Sequence, residues 1–221
     1  MKLEQIVPWG RSKKEYMEMF NLTQEDIVTR KILGCGDNTE VDYDGGSIVS
    51  IDPLYAYSKK EIMQRIDEVA PVVMEEVKAH VDKFVWKNIP DVESLEHMRI
   101  EAMMEFLMDY EDGLEEGRYV EAALPTLPFE DDRFDLALSS HLLFLYSEHL
   151  DEQFHKDAID EMLRVAKEVR IFPLVTLGNL PSPHLEPVVT SLREKGREVN
   201  IVRTGYEFQK GGDMMLKISR K

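Results

Sequence analysis

Two glycines, Gly34 and Gly36, flank Cys35 at the end of the apolar run TRKIL, and a carboxylate, Asp52, ends the next apolar run, SIVSI. A glycine turn lets backbone approach a ligand where a side chain would clash. A carboxylate at the tip of the following strand can accept hydrogen bonds from two neighbouring hydroxyls. Together they predict a nucleotide-type cofactor site. The connection between them is short: with SIVSID set aside, roughly ten residues remain for a crossover that usually takes about a dozen or more. A third group, Ser139-Ser140-His141, ends a later apolar run, RFDLALS. There His141 could take a proton from a substrate near neutral pH, or serve as a hydrogen-bonded structural histidine. Tyr146 follows as a polar residue of the same lining.

Other reactive side chains read more plainly. Cys35 is the sole cysteine, which excludes an intrachain disulfide and a Cys-based zinc site. No basic residue adjoins it, so its thiol reads as a small buried group and not as a nucleophile. His141, His149 and His155 have spacings that match no one-face helical pair, so no metal site is expected.

The elements that must position these groups follow from hydrophobic pattern. Residues 29–34, 47–52, 133–139 and 168–175 are near-continuous apolar runs, as expected of parallel strands covered on both faces. Helical three- and four-residue steps link Ile62, Ile66, Val69, Val73 and Val77, then Leu95, Met98, Ala102 and Phe106, then Phe154, Ala158, Met162 and Val165. Pro71 is expected to kink or split the first of these helices. Strand and helix alternate, which predicts an α/β fold with a doubly wound, mostly parallel sheet. A helix over 184–195 precedes strands near 197–203 and 213–219, expected to close the sheet with an antiparallel edge strand.

Residues from about 80 to 117 exceed what a crossover needs and read as a helical insertion, ending in an acidic, solvated turn over Glu111–Glu116. Its methionines, Met98, Met103, Met104 and Met108, suit either core or an adaptable pocket. Residues 1–27, with Trp9, Arg11 and Tyr16, form an N-terminal helical piece that either caps the site or packs on the sheet edge.

The 221 residues fit a single domain. A net charge of −16 argues against nucleic acid as a partner, because phosphate-backbone binding rests on clustered Lys and Arg. No uncharged apolar stretch is long enough to span a membrane and the start lacks an apolar signal region, so the expected location is cytoplasmic.

ILGCGD, SIDPLY and LPFEDDRFDLALSSHLLFLY together make the chain resemble the class I S-adenosylmethionine-dependent methyltransferases, most closely the small-molecule ubiquinone and menaquinone type. The resemblance implies a Rossmann-like sheet with a reversed last strand, and S-adenosylmethionine as cofactor. It places Gly34, Cys35, Gly36 and Asp37 in the glycine motif, Asp52 on the ribose, and Pro53, Leu54, Ala123 and Leu124 along adenine. Ser139, Ser140 and His141 would face the methionine portion and a small-molecule substrate. The family often has acids where Ile32 and Ala123 stand, and a third glycine in place of Asn38. Those departures and the short crossover fit a second reading, a non-catalytic binding or regulatory protein of the same fold. A nicotinamide-dependent oxidoreductase fits less well, since GCGDNT lacks the GxGxxG spacing. No motif names the methyl acceptor.

Overall fold

The computed structural model describes residues 10–36 and 47–220. Asp37 and Asn38, Trp9 and the shortened crossover fall outside these residues. Helices α1 (Lys13–Phe20) and α2 (Gln24–Thr29) lead into β1 (Lys31–Cys35), followed by β2 (Ser47–Ile51), α3 (Lys59–Ala79) and α4 (Val92–Glu115). Then come β3 (Tyr119–Val120), β4 (Phe134–Ser140), α5 (Glu152–Val165), β5 (Ala166–Phe172), α6 (Leu185–Glu194), β6 (Glu198–Arg203) and β7 (Met214–Ser219). The strands form one seven-stranded sheet in the order β3-β2-β1-β4-β5-β7-β6. Strands β1 to β5 pair in parallel, and β7 runs antiparallel to both β5 and β6. The reversed strand therefore lies one place in from the edge, and β6 is the edge itself.

Both faces of the sheet are covered, which is why its strands read as continuous apolar runs. Successive side chains alternate between the two layers. Leu33, Cys35 and Ala137 join the core built with α5 and α6, while Ile32, Leu136 and Leu138 pack against Tyr16, Met19 and Phe20 of α1. Helices α3 and α4 both lie between β2 and β3. Ile62 and Ile66 of α3 meet Phe106, Leu107 and Tyr110 of α4 around Tyr55 and Tyr119.

Several boundaries differ from the pattern-based expectation. Strand β5 stops at Phe172 because Pro173 has no N–H to continue the ladder. Thr29 belongs to α2, whose last turn closes through Arg30 N–H to the Asp26 carbonyl. Helix α3 runs unbroken through Pro71, which is exposed. Asp67, whose carbonyl would have received the missing N–H, is exposed too, so water can satisfy it. The acidic segment from Glu111 is not a turn: α4 continues to Glu115 and Glu116 is its C-cap. Gly113 sits inside that last turn because the ring of Tyr119 lies against it, and a Cβ there would stand 2.3 Å from Tyr119 Cε2. Strand β3, with two residues, was too short for any periodicity to reveal.

Candidate functional site

The C-terminal ends of β1, β2 and β4 open onto a cavity of about 780 Å³. In an open α/β sheet this is the place where a ligand binds, outside the carboxyl ends at the point where strand order reverses. Here the reversal falls between β1 and β4.

Gly36 lines the cavity directly after β1. Its N–H donates to the Ile51 carbonyl at 3.0 Å, carrying the β1–β2 ladder one residue further. Its φ is +68°, and a Cβ would stand 3.0 Å from Leu142 Cδ2. The backbone angle favours glycine, and a side chain here would also require Leu142 to shift. Gly34 and Cys35 do not line the cavity. They are held within the ladder, opposite Ser50 and Ile51 on one side and Leu138 and Ser139 on the other. Cys35 is fully buried in the core beneath α5, as its sequence setting suggested.

Asp52 follows β2 and lines the cavity with Pro53 and Leu54. Pro53 starts a single 3-10 turn, Pro53–Ala56, which Asp52 caps: its Oδ1 accepts the Leu54 N–H at 2.7 Å. Burial pushes the carboxyl up to about 6, a rise that this one hydrogen bond only partly offsets. The hydroxyl of Tyr110, donating to the Tyr57 carbonyl at 2.8 Å, is raised first by burial and then by the charge of Asp52. Ala122, Ala123 and Leu124 supply the wall between β3 and β4.

At the end of β4, the lining residues are Ser140 and His141, while Ser139 is turned away. Ser139 is fully buried in register between Cys35 and Ile171, and its hydroxyl has no hydrogen-bond partner among the described residues. His141 has a left-handed backbone, φ +54°, uncommon for a residue with a side chain. Its N–H donates to the Phe172 carbonyl at 2.7 Å, and its Nδ1 pairs with Ser140 Oγ at 2.8 Å. Burial, and then the charges of Arg11 and Arg99, push the imidazole well below its ordinary value of 6.5, so it is neutral at pH 7. Leu142, Leu145 and Tyr146 continue the lining from the loop that follows.

That loop is held by a histidine that the sequence left without a role. Phe144, with φ +65°, donates its N–H to His155 Nε2 at 2.9 Å, while His155 Nδ1 donates to the Asp151 carbonyl at 2.7 Å. The two bonds fix one neutral tautomer. Among the described residues no group of three or more His, Cys, Asp or Glu could hold a metal ion.

Charged side chains of both signs also reach the cavity, among them Glu61, Arg65 and Glu68 of α3. Arg11, Tyr16 and Arg99 line the cavity too. Arg99 is clamped to Glu15 by two hydrogen bonds of 2.7 Å, and Tyr206 donates its hydroxyl to Glu15 Oε1 at 2.9 Å. So α1 both packs on the sheet and contributes to the cavity. None of Met98, Met103, Met104 and Met108 lines it: Met103 is core and Met108 is 72% exposed. The sequence reading missed Glu15, Arg99 and Tyr206. One signal was present, because Arg99 lies four residues after Leu95 and three before Ala102, a charge on the apolar face of its helix.

Strand order 3-2-1-4-5-7-6 with the seventh strand reversed is the fold of the class I S-adenosylmethionine-dependent methyltransferases. The chain is 32% identical over its full length to "Uncharacterized protein MJ0045" of Methanocaldococcus jannaschii, covering 99% of that protein. It belongs to the same family as this archaeal protein. No family model matches the chain. Among solved structures, a SAM-dependent methyltransferase from Aquifex aeolicus aligns over 92% of this chain and 90% of its own, with 13% identity and a TM-score of 0.43. The methyltransferase domain of bacterial CtHen1-CN aligns over 89% of this chain and 93% of its own, with 13% identity and a TM-score of 0.45. At these TM-scores the fold assignment rests on the strand order, not on the superpositions.

Proposed function

We propose that the chain is an S-adenosylmethionine-dependent methyltransferase acting on a small molecule. The observation that carries this reading is the cavity at the ends of β1, β2 and β4 with the half-buried Asp52 carboxylate in its wall. Buried carboxylates are held by partners that offset their desolvation, and the hydroxyls of a ribose supply two donors of the right kind. Gly36 lines the same cavity, and a Cβ there would stand 3.0 Å from Leu142 Cδ2. The residues present therefore fit the cofactor: Asp52 would hold its ribose, Pro53, Leu54, Ala123 and Leu124 its adenine, and Gly36 would allow close backbone approach.

When bound, the cofactor supplies an electrophilic methyl group on a sulfonium. The chain's own task is to orient the acceptor in line with that methyl and to exclude water, which needs positioning more than acid–base machinery. Ser140, His141 and Tyr146 lie where the acceptor would be placed, and His141, being neutral, can accept a hydrogen bond or a proton there. Residues 1–27 act as the cap and the segment of about 80–117 as the insertion that closes over the acceptor. A small acceptor agrees with the net charge of −16, which disfavours a phosphate backbone. Among the described residues no helix is long and apolar enough to cross a membrane.

Calorimetric titration with S-adenosylhomocysteine tests the proposal. A saturable heat with a rise in melting temperature is expected. No heat and no thermal shift at millimolar ligand would contradict it and favour a non-catalytic protein of this fold.

A further inference from the structure

The loop between β4 and α5 forms one wall of the cavity and is held from behind by a buried histidine. Leu142, Leu145 and Tyr146 of this loop, with Phe154 of α5, line the cavity. Phe144, between them, is fully buried with φ +65°, a backbone conformation that persists only where the surroundings fix it. Its N–H donates to His155 Nε2 at 2.9 Å, and its carbonyl accepts the Ser147 hydroxyl at 2.6 Å. On the far side of the His155 ring, the Asp151 carbonyl lies 2.7 Å from Nδ1. A carbonyl has no proton to give, so Nδ1 carries the N–H and Nε2 is a bare acceptor. A second ring proton has only Nε2 to go to, where it would oppose the Phe144 N–H. Among the described residues, the charges that act on the ring are those of His184, at the start of α6, and of Asp151, at the N-cap of its own helix. The His184 ring lies 4.9 Å away, and its Nε2 donates to the Ser147 carbonyl of the same loop at 3.2 Å.

We propose that His155 is a proton-sensitive positioning residue for the cavity: unprotonated, it holds the 142–146 segment in the shape that completes the wall, and protonation at Nε2 releases that segment. The proton comes from solvent, and the bond it displaces is the one from the Phe144 N–H. Burial first, and the charge of His184 with it, hold the ring below its ordinary 6.5, so the release is confined to the acid side of neutrality. The coupling is reciprocal: a ligand that needs the completed wall makes the ring harder to protonate. The identity of that ligand, and nothing else in the proposal, rests on the methyltransferase reading of the cavity.

Hydrogen exchange read by NMR on the full chain, corrected for the intrinsic pH dependence of amide exchange, would follow the Phe144 amide while the His155 ring is titrated in the same samples. Phe144 is expected to lose protection roughly 10-fold or more, with the midpoint of the ring's own titration. The side-chain signals of Leu142 and Tyr146 should shift with it, while the amide of Val169 in β5 keeps its protection. His155→Gln, which retains an acceptor but takes up no proton in this range, should keep Phe144 protected and abolish the acid response. A ring that titrates with Phe144 protection unchanged, a ring that stays neutral until the whole fold unfolds, or the same acid response in His155→Gln would each overturn the proposal. Affinity for S-adenosylhomocysteine should fall further between pH 7.5 and pH 5 in the wild type than in His155→Gln, by roughly 5-fold, with Asp52 titrating in both. Equal falls would overturn the link between loop and cavity. Absence of S-adenosylhomocysteine binding at every pH, with the Phe144 response intact, would instead overturn the methyltransferase reading and leave the loop switch standing.

Discussion

Arg99 of α4 donates two hydrogen bonds of 2.7 Å to the two carboxylate oxygens of Glu15 on α1, with the arginine side chain only 1% exposed. Through this pair a helix packed on the sheet is locked to a helix of the long β2–β3 connection, and Arg99 is fixed in the cavity wall between them. Glu15 also completes the capping box of α1 with Ser12, so one carboxylate starts the helix and anchors its neighbour.

Removing the carboxylate leaves a buried guanidinium without its counter-charge. Glu15→Gln is expected to cost about 3–5 kcal/mol of unfolding free energy, and Tyr206→Phe about 1–2 kcal/mol, both measured by urea unfolding. Burial alone would raise the Glu15 carboxyl, but Arg99 overcomes it and holds the group at about 2. Its stabilising contribution is therefore complete above the unfolded value of 4.5 and is lost as pH falls through about 2. A Glu15→Gln protein should lack that acid-range loss.

Gly36→Ala combines a left-handed backbone with a close approach to Leu142 Cδ2. The backbone strain should cost about 1–2 kcal/mol, visible as a lower urea midpoint with unchanged slope. Because the new methyl points into the cavity wall, affinity for S-adenosylhomocysteine should fall by a larger factor than the stability loss predicts. Unchanged affinity would remove Gly36 from the site.

His155 holds the loop behind the cavity in its neutral form, lowered first by burial. Below its unfolded value of 6.5 the unfolded chain takes up a proton that the folded one resists, so stability falls as pH drops from 6.5 through the lower folded value. His155→Leu strands the Phe144 N–H and should cost about 1–3 kcal/mol. His155→Gln, which can still accept that N–H, should recover part of the loss and flatten the pH dependence. Unfolding curves at pH 5 and pH 8 check both.

The parallel half of the sheet was legible because strands covered on both faces carry apolar residues at successive positions, as Ile32-Leu33 of β1 and Ile48-Val49 of β2 do. Asp52 and Gly36 were legible for the same reason, standing where those runs stop. What sequence could not show is which way a strand-end side chain turns. Ser139 and Ser140 are adjacent and alike in type, yet alternation sends one into the sheet and the other to the cavity. Nor could it pair Glu15 with Arg99, which lie 84 positions apart and meet only because α1 and α4 converge. The His155–Phe144 bond was hidden likewise, since a hydrogen bond to backbone leaves no mark in residue type.

Binding to Asp52 should itself depend on pH. With the free carboxyl raised to about 6 by burial, ribose hydroxyls donating to the ionised form bind best above that pH. The affinity for S-adenosylhomocysteine should therefore rise between pH 5 and about pH 7 and then level off, with proton release on binding below pH 6. Calorimetry in buffers of different ionisation enthalpy reads both.

The most direct measurement is a paired one on Asp52→Asn: urea unfolding and S-adenosylhomocysteine titration at pH 7.5. Because the charge is buried at a cost, the substitution should leave the fold unharmed or stabilise it by up to about 3 kcal/mol. The same change should weaken S-adenosylhomocysteine binding roughly 10- to 100-fold, the loss of hydrogen bonds to a charged acceptor. A stable Asp52→Asn protein that binds S-adenosylhomocysteine as tightly as the wild type would contradict the assignment of this cavity as a methyl-donor site.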